Sequence, residues 1–220
     1  MTNKIEIVKE DRCIINIVFN IPTVFTRSDF ISCLEKKGFE VTAEKEIKPT
    51  GISITLEGSH VGRLGEANIF HDPVGGIIGI VTRACNDAMK NLETVLSILS
   101  EDLNLDPDSV IKYYEMIDVL FVKGKKQPWD AIIESSKVNI TDVNSIVGEE
   151  MGMPIINFCP YKGRPNSEKW RSISIEPAMM NPNHYWFKSI FRSPKIEELN
   201  VHVQNLQKII NDTINIIENA

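Results

Sequence analysis

The sequence predicts an α+β protein: a duplicated strand–helix–strands–helix unit with a mostly antiparallel sheet and two long helices on one face. Three observations carry this. Apolar, β-branched runs at Cys13–Phe19 and Met116–Val122 stand 103 positions apart, and each precedes a short helical stripe. Two long helical stripes follow later, one near the middle of the chain and one at its end. Val81-Thr82-Arg83 and Ile190-Phe191-Arg192, offset by 109, each stand just before one of them. The repeats are assigned to residues 1–104 and 105–220, as one continuous globular unit.

In the first repeat, Cys13–Phe19 is too continuously apolar for a strand with one wet face, so it reads as a central strand ended by Pro22. Thr26 is placed to cap a short helix, with Asp29 three residues on and Phe30, Ile31 and Leu34 as its apolar stripe. Gly38 closes that helix. Ile52, Ile54 and Leu56 alternate with polar residues, a half-buried strand pattern. Val61–Phe70 reads as one weaker strand, loosened by Gly62 and Gly65. Asp72-Pro73 and Gly75-Gly76 supply turn chemistry before a strand at Ile77–Val81. Asn86 is expected to cap a helix whose Met89, Leu92, Leu96, Leu99 and Leu103 are spaced for one face.

Asp106-Pro107-Asp108 is the expected linker. Met116–Val122 then forms a strand ended by Gly124, and Pro128 leads a helix carrying Trp129, Ile132 and Ile133. A second short helix is expected at Thr141–Met151, with strands at Ile155–Cys159, around Ile173 and Ile175, and at Tyr185–Phe191. Pro194 opens the last helix, striped by Leu199, Val203, Leu206, Ile210, Thr213 and Ile217. A duplicated unit of this order resembles the TATA-binding-protein-like and related helix-grip folds, where a curved antiparallel sheet carries long helices on its convex face. The resemblance is architectural and rests on no sequence motif, so it implies no function.

Hydrophobic residues make up 42% and charged residues 25% of the 220, a balance that argues against disorder and collagen-like sequence. A chain of this size buries roughly 70% of its unfolded surface, enough to need no disulfide or metal staple. The net charge of −6 disfavours general nucleic-acid binding. No apolar run approaches the ~20 residues of a membrane helix. Met1–Asp11 mixes apolar with charged residues and holds no apolar signal core, so a cytoplasmic location is expected. Cys13, Cys33, Cys85 and Cys159 form no C-x-x-C pair and read as reduced thiols, mostly buried. The four histidines show no metal-binding spacing, and no P-loop or dinucleotide fingerprint occurs, so no metal or cofactor is expected.

These features suggest a cytoplasmic binding or scaffold protein holding a small ligand in a groove between repeats. Arg83, Asp118, Tyr185 and Arg192 are the expected ligand-binding residues. Arg83 and Arg192 precede the long helices, and Asp118 interrupts an apolar strand. Tyr185 belongs with Met179, Met180, Trp186 and Phe187 to an apolar group suited to a cleft wall. One alternative is an enzyme using Asp118 or Cys85, whose thiol lies near Arg83 and a helix start that would lower its pKa. Another is an anion or nucleic-acid binder working through 123–126 and 161–171, with Lys162, Arg164, Lys169 and Arg171 beside Tyr161 and Trp170. The last helix, ~37 Å long at 1.5 Å per residue, carries Val201, Ile209, Ile214 and Ile216 off its main stripe. That surplus suggests a homodimer through this helix.

Overall fold

The computed structural model describes residues 5–22, 24–41, 60–136, 155–160 and 164–219. Its elements run β1 (Glu6–Phe19), α1 (Arg27–Lys36), β2 (Glu40–Val41), β3 (His60–Leu64), β4 (Ala67–Asp72), β5 (Ile77–Thr82) and α2 (Cys85–Ser97). There follow α3 (Pro107–Val110), β6 (Ile111–Lys123), α4 (Pro128–Ser136), β7 (Ile156–Phe158), β8 (Trp170–Pro177), β9 (Tyr185–Ser193) and α5 (Ile196–Glu218). The fold mixes helix and strand around a large antiparallel sheet. Among the described residues the sheet has nine strands, in the order β2-β3-β4-β5-β1-β6-β9-β8-β7. β1 and β6 pair along nearly their whole lengths, from Glu6 opposite Lys123 to Phe19 opposite Ile111. This pair is the seam between sheet regions drawn from the first and second parts of the chain.

Period-two alternation sets the two faces. Cys13, Ile15, Ile17 and Phe19 of β1 are buried, as are Tyr114, Met116, Asp118, Leu120 and Val122 of β6 and Tyr185, Phe187, Ser189, Phe191 and Ser193 of β9. Leu92 and Val95 of α2 and Leu199, Ile210 and Ile214 of α5 complete this core. Cys85 of α2 and His202 of α5 both contact Asp118, which places both long helices on the side to which Asp118 points. The opposite face presents half-buried Ile14, Asn16 and Val18, with Glu115, Ile117, Ile190 and Arg192 alongside.

Local chemistry explains most boundaries. Thr26 Oγ1 accepts the Asp29 N–H at 3.2 Å and caps α1. At the far end Gly38, with φ +87, lets its own N–H reach Glu35 and the Phe39 N–H reach Leu34, satisfying two terminal carbonyls. Other boundaries differ from the sequence reading. β1 and β6 begin earlier than expected, because each extends the other's ladder through polar residues. Val61–Phe70 is a hairpin of two strands, with Gly65 at φ +57 in the turn. The N-cap of α2 is Ala84, not Asn86, and makes no side-chain cap bond. α2 then continues as a π-helical turn, Ile98–Asp102. The Asp106-Pro107-Asp108 linker is itself a single capped helical turn, α3. The expected strand at Ile52–Leu56 and helix at Thr141–Met151 lie outside the described residues. No helix among the described residues is long and apolar enough to cross a membrane.

Candidate functional site

Register places four polar residues in one transverse row beneath the helices. Cys13 of β1 stands opposite both Thr82 of β5 and Asp118 of β6, and Asp118 stands opposite Ser189 of β9. The next row in one direction is Ile80, Ile15, Met116 and Phe191; in the other, Leu120 and Phe187 are adjacent. A polar line thus crosses an apolar core, and Asp118, 0% exposed, lies at its centre.

Two helices supply the remaining groups. Cys85 opens α2, and its thiol donates to Asp118 Oδ1 at 2.6 Å. Ser189 Oγ donates to Asp118 Oδ2 at 3.1 Å. His202, from the first third of α5, brings Nε2 to 3.5 Å from the same oxygen, and its Nδ1 is buried without a hydrogen-bond partner among the described residues. The arrangement answers the cost of burying a carboxylate, since each oxygen has a neighbouring donor. It also joins both parts of the chain: Cys13 and Cys85 come from before the α3 linker, and Asp118, Ser189 and His202 from after it.

The expected low-pKa thiol at the head of α2 does not form. Interaction with Cys13 lowers the Cys85 pKa, but burial and the Asp118 carboxylate outweigh it, and the net direction is up. Cys13 is pushed well above the usual thiol range by its hydrogen bond with Cys85, by burial and by Asp118. Glu10, at the rim, is raised by burial and then by the charges of Asp118 and Asp87. Arg83 does not offset these charges, because its exposed side chain pairs with Glu66 at 3.3 Å.

A groove of about 500 Å³ runs beside α5, with Arg171, Phe191, Val201, His202, Lys208 and Ile209 among its lining residues. Phe191 is central. His202 stacks on its ring at 4.6 Å between centroids and 5° between planes. The Arg171 guanidinium also sits on this ring, 4.9 Å from its centroid. His202 therefore touches both the groove and the buried polar row.

The four expected ligand residues do not converge. Arg83 lines a small polar pocket with Arg12 and Arg63. Asp118 lies in the buried row. Tyr185 is fully buried and donates to Glu218 Oε1 at 3.1 Å, and burial, followed by the Glu218 charge, holds its phenol pKa well up. Arg192 is on the opposite face, bound to Glu115 and to the Pro165 and Ser167 carbonyls. The expected cleft wall is also divided: Met179 and Met180 are exposed, whereas Tyr185 and Phe187 are core residues.

Of the basic set, Lys162 lies outside the described residues, Arg164 is exposed, and Lys169 pairs with Glu198 at 3.0 Å. Of the three described, Arg171 alone lines the groove. In the 123–126 turn, the Lys125 and Lys126 N–H groups already serve an internal anion, Glu218 Oε1, at 2.7 and 2.9 Å. Gly124 makes that approach feasible, because a Cβ there would collide with the Glu218 carboxylate and the Tyr185 ring.

Ser189, Cys13 and His202 were not singled out from sequence. A signal existed for two of them. Ser189 occupies a core-facing position in the alternation of Tyr185–Phe191, and His202 sits within the apolar stripe between Leu199 and Leu206. No family model, curated protein or solved structure matches the chain.

Proposed function

We propose that the chain is a small-molecule-binding protein built from two repeats of one unit, with its ligand held along α5. Strand order supports the duplication. β5 and β1 adjoin on one side of the seam as β9 and β6 do on the other, while α1 and α4 follow β1 and β6. The observation that carries the binding reading is the α5 groove. Its volume lies within the ~300–1,000 Å³ usual for ligand sites, and a patch of apolar side chains edged by the cations Arg171 and Lys208 and the carboxylates Glu197, Glu198 and Asp212 suits recognition of a small amphipathic molecule. Phe191, Val201 and Ile209 offer the apolar surface, and Arg171 offers a planar cation for a carboxylate or phosphate. The groove lies in the second repeat rather than between repeats. The raised thiols count against an enzyme acting through a Cys85 thiolate.

Calorimetry with aromatic and aliphatic carboxylates and their phosphate counterparts tests the reading. Binding by one class, weakened at least about tenfold by Arg171→Ala and by Val201→Trp, is the expected outcome. Absence of heat across the panel, or binding indifferent to both substitutions, overturns it. Val201 and Ile216, 56% and 63% exposed, favour a second reading in which another copy of the chain covers this side of α5. Light scattering separates the two: a mass near 24.9 kDa removes the dimer.

A further inference from the structure

The polar row under the helices has a chemistry that ligand binding in the groove does not use. We propose that Cys13, Cys85 and Asp118 form a binding site for a divalent metal ion of the zinc class, with Ser189 and His202 orienting the carboxylate. The two sulfurs and a carboxylate oxygen lie within 4.8 Å of one another. A tetrahedral ion with Zn–S bonds of about 2.3 Å and Zn–O bonds of about 2.1 Å needs its donors roughly 3.3–3.8 Å apart. Small side-chain rotations therefore bring these three donors around one ion, whose fourth position would be taken by a water. Two sulfurs from separate elements favour a zinc-class ion over magnesium or calcium, which take oxygen ligands.

Electrostatics supports the same assignment. As one divalent ion enters, the two thiols each release a proton to solvent, so the net charge of the buried site is unchanged. The ion would replace thiol protons that now spend their hydrogen bonds within the cluster. Ser189 Oγ and His202 Nε2 both address Asp118 Oδ2, leaving Oδ1, the oxygen facing Cys85, for the ion. This division of one carboxylate between an outer pair and a ligand-facing oxygen is how outer-shell groups orient metal ligands. The expectation of a metal-free chain rested on local spacing, whereas Cys13 meets Asp118 through the β1–β6 register and Cys85 joins them from the head of α2.

Cobalt substitution of the full chain, prepared with reductant and chelator and then freed of chelator, tests the proposal without any mutation. One equivalent of Co²⁺ is expected to give thiolate-to-cobalt charge transfer and the intense visible bands of a four-coordinate ion, both abolished by Zn²⁺. Cys13→Ser and Cys85→Ser should each weaken Co²⁺ binding more than the about 10–100-fold typical of outer-shell changes, and Ser189→Ala by about tenfold. Cys33→Ser and Cys159→Ser should leave it unaltered, with circular dichroism reporting the fold of every variant. A wild-type spectrum without charge transfer overturns the proposal. So do bands that survive both Cys13→Ser and Cys85→Ser, or bands that vanish with Cys159→Ser. Groove ligands play no part in this readout, so it stands or falls separately from small-molecule binding.

Discussion

His71 shows what a single buried side chain does to the pH response. Its ring stacks on Phe25 at 5.0 Å and meets the edge of Phe30 at 5.7 Å, and Nδ1 has no hydrogen-bond partner among the described residues. Burial, followed by the nearby Arg27 charge, depresses its pKa from 6.5 to about 4. The unfolded chain therefore takes up a proton below 6.5 that the folded chain refuses until about 4. Stability from this residue is present above the unfolded value and is lost as pH falls through that window, by roughly 3 kcal/mol at 1.36 kcal/mol per unit. Urea unfolding across that range should show wild type losing about this much more than His71→Phe. Parallel curves for the two proteins would remove the assignment. A lone histidine in sequence gives no hint of this; only the aromatic enclosure does.

At the scale of the element, α5 separates apolar residues that look alike in sequence. Ile214 is fully buried, Ile209 is half-buried against the core, and Ile216 is 63% exposed. Four residues suggested a surplus for a partner; the structure leaves two of them outside. Ile214→Ala should cost about 2–5 kcal/mol in chemical denaturation, whereas Ile216→Ala should stay within about 0.5 kcal/mol. Equal effects would contradict this packing. Elements with strong periodicity were legible: the cores of β1, β6 and β9, α1 with its cap and glycine stop, and the stripes of α2 and α5. Boundaries set by tertiary contact were not. Asn86 has capping chemistry, yet Cys85 is already helical. Gly65 looked like a weakness in one strand because no local pattern says that His60–Leu64 folds back on Ala67–Asp72.

Across the whole molecule, long-range register makes the candidate site. Positions 13, 85, 118, 189 and 202 are scattered over the chain and gather because Cys13 pairs with Asp118 and Asp118 with Ser189, while α2 and α5 pack Cys85 and His202 over Asp118. Element order was readable from the sequence, but that register was not, so Asp118 stood out only as a lone acid in an apolar strand. The seam has another consequence. Each side of it is a contiguous stretch of chain, and Leu103–Asp106 runs between them through the exposed or half-buried surface, with Asn104 at φ 51. The covalent joint mainly supplies effective concentration, of the order of millimolar for a short tether. Fragments 1–104 and 105–220 should accordingly recombine when mixed, with a stability that rises with protein concentration. Gel filtration and circular dichroism would follow the reassembly, and fragments that stay apart at high concentration would refute it. Reassembly would make the protein a heterodimer whose partners travel on one polypeptide, and a loop cut would then turn its folding into an association reaction.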